Sequence, residues 1–543
     1  MRCKHTRSGF GKISCAVLSM MLITALLAGC AQKTEQTPPA TAVKQDGNEN
    51  TENNMEPVTL SYYVALHPDA ARSLKSMGET LLFQELEKRS NVRIDFRHPA
   101  VGGEAQQFNL MIASGNLPDL IEYNYTTYPG GPEKALADQV IIPLNDLIRE
   151  HAPNLQRYLD RHPDILKQLT TDDGVIYAFP AIGAGQLNIV SAGLMLRKDW
   201  LDELNLDVPV TISDWTEVLQ QFKTRKGAAT PLSMVIGNFE REFFNGAYGI
   251  GTGFYQDEGT VKYGPLEPAY KDYLALLHQW YADGLLDPDF PTQDAKSLDT
   301  KIINGQTGAF VASIGSGMGK YLAAGREKEP AYDLVAAQFP VFAAGDQPFF
   351  MNRAYEYRGS GSAAITPGNK HPELSAQWLD YFYSDEGNML KQFGVEGVTY
   401  SDDNGYPRYS DLIMNNPDKL SVGEALSKYL RVSQPSPGFV GDDRFTEQYY
   451  GFPQQTEAAK LYSTYEQNAL KVQMPRVSVQ DAAELSTIMA EVKTYVDEMF
   501  LKFVLGAEPI SGFDKFAAQL KKMNIERAIQ INQEALERYN AKS

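Results

Sequence analysis

The sequence predicts an α/β protein, and three observations carry the prediction. Short β-rich runs alternate with amphipathic helical segments from residue 58 onward, the order that builds a largely parallel sheet. Hydrophobic residues make up 43% and aromatic residues 11% of the chain, enough for packed interiors. At 543 residues the chain is too long for one ordinary core and divides into two or three domains.

A different kind of sequence precedes that body. Arg2, Lys4, Arg7 and Lys12 form a basic head, followed by the apolar run "ISCAVLSMMLITALLA" at 13–28. Basic head, apolar middle and small residues at the end are the layout of a secretion signal. The run falls short of the about 20 apolar residues a membrane-spanning helix needs, and no basic flank follows it. Its end, "LLAGC", resembles a bacterial lipobox. The resemblance implies a lipoprotein signal peptide over 1–29, cleavage before Cys30, and acyl chains on the sulfur and the new amino group of Cys30. More than one chain is what stable anchoring requires. Residues 30–57 have almost no large apolar side chains and read as a flexible tether.

The body opens with "VTLSYYVAL" (58–66), which alternates and is β-rich. "GETLLFQELEKRSNVRIDFRHPA" follows as a helix and then, over "NVRIDFR", a second strand. "EAQQFNLMIASGNLPDLIEYN" reads as a helix leading to a short strand, Asp119 to Tyr123. Further on, Ser213 is placed to cap a helix that opens at Asp214-Trp215. "EPAYKDYLALLHQWYADGLL" is a helix with Gly284 at its C-terminal end. Leu485, Ile488, Met489, Val492, Tyr495, Val496, Met499 and Phe503 fall at helical spacing, with Gly506 closing the helix. A last helix covers about 526–540.

Charge and motifs exclude several functions. Fifty Lys and Arg stand against 68 Asp and Glu, a net charge of −18, with no basic stretch after the N-terminus. Nucleic acid is therefore not a partner, because phosphate backbones are held by clustered cations. Cys3, Cys15 and Cys30 are the only cysteines, so the body has no disulfide, thiol nucleophile or Cys-type zinc site. "GSGMGK" (315–320) lacks the first glycine and the hydroxyl residue of a phosphate loop, and "GIGTG" (249–253) lacks the third glycine of a dinucleotide turn. "SDDNGY" (401–406) puts Tyr400, and "TTDDGVIY" puts Leu169, where a calcium loop needs its first carboxylate, so both read as turns. The seven histidines form no close pair, and no nucleophile elbow is present. No metal and no cofactor is expected. A glycosidase-type acid pair about 5–9 Å apart remains open, since spacing in sequence does not place it.

Aromatic residues are abundant: 29 Tyr, 25 Phe and 4 Trp. Several stand in turns, in "EYNYTTYPGG" (122–131), "EREFFNGAYGIGTGFY" (240–255) and "NRAYEYRGSGS" (352–362). Flat faces beside polar groups suit sugar rings or other planar, hydroxyl-rich ligands, and packing at loop bases is the alternative for each residue.

An ordered set of segments resembles the extracellular solute-binding proteins of ABC importers, family 1, in their long lipoprotein branch from Gram-positive bacteria. These are "ASGNLPDLI", "DGVIYAFP", "LMLRKDWLDELNLDVPVTISDW", "WYADGLLDPDF", "INGQTGAF", "WLDYFYSDEG", "FGVEGVTY" and the C-terminal "FDKFAAQLKKMNIERAIQINQEALERY". The resemblance implies a two-lobed, periplasmic-binding-protein-like fold of type II, each lobe a mostly parallel sheet flanked by helices. It divides the chain into a first lobe of 58–180 plus 309–362 and a second of 181–308 plus 363–543 with a helical C-terminal extension. Crossover hinges fall just after Pro180, near Gly305–Phe310 and near Ser362–Ile365.

The same resemblance implies a ligand site between the lobes. Tyr123 ends the "PDL" strand where sugar-binding relatives carry a cleft aromatic, with Tyr125 its loop neighbour. Phe243 and Phe244 fall in a loop similar to an aromatic sugar-stacking segment. Tyr355, Tyr357 and Arg358 precede the third crossover, and Glu396 lies in "GVEGVTY". After "TGAF" stands "VASIGSG" where maltodextrin-type relatives carry Trp, which argues against that ligand. The implied protein is a monomer held at the extracellular face of the membrane by its N-terminal lipid. It captures an oligosaccharide and delivers it to the permease subunits of an ABC importer without acting on it. The alternatives are a secreted polysaccharide-acting enzyme with a carboxylate pair, and a surface adhesin or sensor on the same fold.

Overall fold

The alternation of strand and helix from residue 58 onward is present in the computed structural model. It describes residues 56–542 except 186, 188, 189, 241, 242, 348–356, 433 and 465–473. Cys30, the N-terminal head and run, and Tyr355 lie outside the described residues. Among those described, no helix is long and apolar enough to cross a membrane.

The strands are β1 (Val58–Tyr63), β2 (Val92–Arg97), β3 (Leu120–Tyr123), β4 (Phe179–Gly183), β5 (Ala192–Arg197), β6 (Leu232–Ser233) and β7 (Phe254–Asp257). They continue as β8 (Thr260–Tyr263), β9 (Ala309–Ser313), β10 (Leu334–Ala336), β11 (Tyr357–Ile365), β12 (Tyr400–Asp403), β13 (Tyr406–Tyr409) and β14 (Gly438–Val440). Six of them form one sheet in the order β14-β4-β11-β3-β1-β2, and four form another, β10-β5-β9-β6. In the first sheet every pairing is parallel except those of β11. In the second, β5 runs antiparallel to both neighbours while β6 and β9 are parallel. β5 and β11 are the strands by which the chain enters a sheet from the other one. Each arrives from the other sheet and not from a preceding strand of its own, so neither is bound to its neighbours' direction.

Each sheet has its own interior. Leu60, Tyr62, Leu120, Phe179 and Ile365 pack on one face of the first sheet with Trp378 and Phe382, whereas Tyr63, Ile121 and Ala364 pack on the other with Phe108 and Tyr177. Successive side chains along β1, β3 and β11 thus serve opposite faces, as the pleat requires. β5 is buried at all six positions, and Trp215, Phe222, Trp280 and Phe310 fill the interior around it. That interior also takes Val492, Val496 and Phe503 of the long helix Val479–Val504, joining the helical extension to the second sheet.

Local chemistry explains the helix ends. Thr211, not Ser213, caps the helix Ile212–Arg225: its hydroxyl accepts from Asp214 N–H at 3.1 Å while the Asp214 carboxylate accepts from Thr211 N–H at 2.8 Å. A reciprocal box satisfies two orphan donors where Ser213 alone would satisfy one. Gly284, at φ +63°, follows the helix Pro268–Ala282 and Gly506, at φ +77°, follows the long helix, as anticipated. "SDDNGY" makes the β12–β13 hairpin turn, with Asn404 and Gly405 both at positive φ.

The sheets divide the chain differently from the sequence partition. Residues 309–341, assigned there to the first lobe, belong to the second sheet, because β9 pairs with β5 and β6 and β10 pairs with β5. Gly305–Phe310 therefore leads from a helix into β9 within one sheet, and Ser362–Ile365 is the interior of β11. Residues 363–440, from the end of β11 through β14, assigned by sequence to the second lobe, lie with the first sheet. The chain passes between sheets over 184–191, between β10 and β11, and after β14, where the helix Pro453–Ser463 packs against β10.

His98, just after β2, ties the first sheet's edge. Its Nε2 accepts from Met77 N–H at 3.1 Å, so Nδ1 carries the proton that bonds the Val64 carbonyl at 2.8 Å. Burial, with Arg431 adding to it and the Val64 bond opposing it, holds the His98 pKa below its usual value. A depressed folded-state pKa means that stability is fully present above the unfolded value of about 6.5 and is lost as pH falls toward the folded one. Urea midpoints between pH 7.5 and 5 should accordingly drop more for the wild-type chain than for His98→Gln; equal drops would contradict this.

Candidate functional site

Two open cavities of similar size stand out. One, of about 550 Å³, is lined by residues of the second interior and its long helix, among them Phe239, Phe254, Val496 and Phe500. The other, of about 580 Å³, draws on both sheets' surroundings and lies within the about 300–1,000 Å³ of small-molecule sites. Tyr357, Gly359 and Ser360 come from β11 and Asn124 and Thr126 from the turn after β3, while Gln256 comes from the β7–β8 hairpin and the remainder includes the C-terminal helix Ile525–Ala541.

Three features of the chain build this second cavity. At the end of β3, Asn124 Oδ1 accepts from Thr126 N–H at 3.2 Å and from its hydroxyl at 2.6 Å, fixing a tight turn. Beside it, β11 shifts register between Arg358 and Ala363, and a side chain at Gly359 would meet Asn124 Oδ1 at 2.9 Å. Gly361, at φ +74°, lies so close to the Pro435 carbonyl that a Cβ would stand 2.4 Å from it. Glycine is what lets this irregular strand reach the turn.

On the other side stand the C-terminal helix and the segment before the long helix. Arg476 donates from Nη2 to the Thr170 carbonyl at 3.1 Å and lies 5.3 Å from the Tyr177 ring centre. Tyr177 and Tyr357 share a hydrogen bond of 2.6 Å between their hydroxyls. Burial first, then the neighbouring Tyr177, push the Tyr357 hydroxyl well above the ordinary tyrosine value, so it stays protonated. Lys167 lies 4.8 Å from the Tyr539 ring centre and donates to the Asn540 carbonyl at 3.4 Å. Lys542 pairs with Asp172 at 3.0 Å, and Arg538 stands 3.5 Å from the same carboxylate. Amides, hydroxyls, ring faces and cations around one opening suit a hydroxyl-rich ligand. Among the described residues no group of three His, Cys, Asp or Glu is disposed to hold a metal ion.

Of the residues singled out in the sequence, Tyr357 lines this cavity. Arg358 is the next residue of the same strand, its backbone paired with Ala181. Tyr123 is half-buried and stacked on Phe108, with ring centres 3.7 Å apart, beside the cavity residue Asn124. The others are placed elsewhere. Tyr125 is fully buried and donates its hydroxyl to the Ile121 carbonyl at 3.0 Å. Phe243 packs on Phe339, and Phe244 meets Trp215 and Trp280 edge-on at 5.2 and 5.1 Å. Both phenylalanines are 1% exposed, so the turn that holds them points inward and leaves no face for a sugar. Glu396 is exposed in a turn bridged to Tyr400 and does not line the cavity.

The family model for bacterial extracellular solute-binding proteins matches residues 68–389, more than half of the chain. The chain belongs to this family. Among similar proteins is the fructooligosaccharide ABC transporter substrate-binding protein FusA of Streptococcus pneumoniae, 27% identical with 96% of this chain and 98% of the relative covered. Another is the polygalacturonan/rhamnogalacturonan-binding protein YtcQ of Bacillus subtilis, 22% identical over 96% of this chain and 98% of its own. The structure of Streptococcus pneumoniae FusA in complex with kestose superposes with a TM-score of 0.68 at 25% identity, covering 89% of this chain and all of the other. The solute-binding protein thus has the two-lobed fold that its sequence resemblance implied, one lobe around each sheet.

Several cavity residues of this solute-binding protein carried no local signal: Lys167, Gln256, Arg476, Tyr539 and Lys542 stand on ordinary helix, strand and linker sequence, and tertiary packing alone brings them together. The buried aromatic pair gives a direct check. Phe244→Ala should lower unfolding stability by about 3–5 kcal/mol, the cost of emptying a core aromatic site. A urea titration that shows less than about 1 kcal/mol would return Phe244 to the surface.

Proposed function

We propose that the protein is the lipid-anchored receptor of an ABC importer, capturing an oligosaccharide between its lobes and delivering it to a membrane permease. The observation that carries the reading is the cavity of about 580 Å³ with lining from both lobes. A ligand there contacts both lobes at once, and differential affinity for the closed arrangement is what converts binding into a shape signal. The ligands in the relatives' names, fructooligosaccharide and polygalacturonan/rhamnogalacturonan, support the sugar class. Tyr357, Asn124, Gln256 and Tyr539 are the proposed contacts, with Tyr123 at the rim. The proposed lobes are residues 58–183 with 357–440, and 192–341 with 453–542.

No chemistry is done on the ligand in this reading. An enzyme of the glycosidase kind needs a free carboxylate pair across the bond. Of the two acids lining the cavity, Asp172 is held by Lys542 at 3.0 Å. Cys30 is the proposed anchor, at the end of a signal whose layout matches cleavage before it.

Two measurements test this. Fructooligosaccharide and pectic oligosaccharide panels should raise the melting temperature, the stabilisation reaching about 2.7 kcal/mol at a hundredfold excess over Kd. Tyr539→Ala should weaken the binder so found by about tenfold or more, as loss of one aromatic contact does. Peptides shifting the melt while every saccharide leaves it unchanged would defeat the carbohydrate reading. Separately, Cys30→Ala expressed in a Gram-positive host should move the protein from the detergent phase to the medium, and retention at the membrane would remove the anchor from Cys30.

A further inference from the structure

The β7–β8 hairpin lines both open cavities. Gln256 lines the one between the lobes, and Phe254 and Tyr263 line the other, of about 550 Å³. Phe254 and Gln256 stand two residues apart on one strand, so their side chains share a face, with Cα atoms about 7 Å apart. Across the hairpin Phe254 pairs with Tyr263, ring centres 4.9 Å apart, and Gln256 pairs with Val261. Gln533 of the C-terminal helix fixes the hairpin: it accepts from Val261 N–H at 2.8 Å and donates to the Gly259 carbonyl at 3.1 Å. A second element is shared as well. Met474, Pro475 and Arg476 line the first cavity and run on toward the long helix, whose Met489 and Phe500 line the second.

The second cavity differs from the interior it adjoins. Phe239, Tyr263 and Phe500 are buried side chains of that interior, yet the space they line is open, with Phe254 and Met489 half-buried beside it. Apolar faces left uncovered forgo about 25 cal/mol per Å² that a closed core would recover. The charged part of the lining is balanced, because Lys493 and Asp497 pair with each other at 3.1 Å. Ring faces beside a balanced polar rim fit the apolar face and hydroxyl edge of a sugar ring better than they fit an ion. Together the two cavities exceed the about 1,000 Å³ that bounds ordinary small-molecule sites. Two such spaces on one hairpin face suit a ligand that carries several rings along its length.

We propose that the two cavities are subsites of one extended site, the aromatic cavity taking the far end of an oligosaccharide whose first rings lie between the lobes. The protein then selects its ligand by length. A short oligomer fills the cavity between the lobes, and a longer one gains the aromatic contacts as well. The proposal rests on the oligosaccharide reading above and adds a second region of contact to it. No bond is made or broken.

Calorimetry on the full chain tests it with two length series: kestose and its longer fructan homologues, and galacturonate oligomers from the dimer upward. In the series that binds, affinity should climb by about tenfold or more between the shortest binder and the longest. Met489→Trp fills the aromatic cavity, and Phe254→Ala removes one of its ring faces. Each should abolish that climb while leaving the shortest binder's affinity within about twofold. Should Phe254→Ala fail to fold, Met489→Trp alone decides. A longest oligomer that binds no tighter than the shortest overturns the proposal while leaving the oligosaccharide reading standing. A climb that survives Met489→Trp, or a loss equal at both lengths, overturns it too. Neither series binding to the folded chain overturns both.

Discussion

β4 ends at Gly183 in the interior of one sheet, and β5 begins at Ala192 in the interior of another, buried along its whole length. The two interiors share no strand, so the chain must cross between them, and the rest of the structure follows from those crossings. A strand delivered from the other sheet is not tied to the direction of a preceding strand in its own, and β5 and β11 run against both their neighbours. The gap left between two closed interiors is the natural place for a cavity that neither lobe makes alone.

The cavity lies at the start of β11, beside one of these crossings. β11 enters the first sheet at Tyr357, whose hydroxyl is bonded to that of Tyr177, just before β4 leaves it. The irregular start of β11, opened by Gly359 and Gly361, gives the strand room to bend toward the β3 turn. The C-terminal helix lies against β8 and the long helix of the second lobe, but its last turn meets Thr170 and Asp172 of the first. One short region therefore holds the start of β11, a tyrosine pair and the last turn of the C-terminal helix.

Local periodicity made most of the fold legible, because strand and helix are decided by neighbours in sequence. β1, β2, β3 and the long helix lie where alternation and the helical repeat put them. Partition between lobes was less legible: β9 is a short apolar run and β11 a run of mostly small residues, and the sheet each joins is chosen by pairing across long stretches of chain. The site was least legible of all. An aromatic in a turn can face solvent or core, and the turn at Phe243 and Phe244 is folded over Trp215 and Trp280. Tyr357, named through the family resemblance as preceding a crossover, lines the cavity, whereas Arg476 and Lys542 belong to segments whose sequence says nothing of the cavity they line. Thr211 capping in place of Ser213 is a smaller case, where a reciprocal pair outcompetes a single hydroxyl.

The bridges between lobes also bear on what closes them. Lys542 and Arg538 both approach Asp172, but their side chains are 17% and 34% exposed and that of Asp172 is 49% exposed. Ion pairs of such exposure contribute about 0–1 kcal/mol each and weaken with salt. Driving a two-state closure from 1:99 to 99:1 needs about 5.5 kcal/mol of differential affinity. Two shared, half-exposed bridges fall well short of that. They bias the lobes toward each other without holding them shut; in the receptor reading proposed above, a ligand that touches both sides supplies the remainder. A protein that closed fully on its own ion pairs would report nothing about its ligand; one that depends on the ligand for most of the closing energy carries that information in its shape.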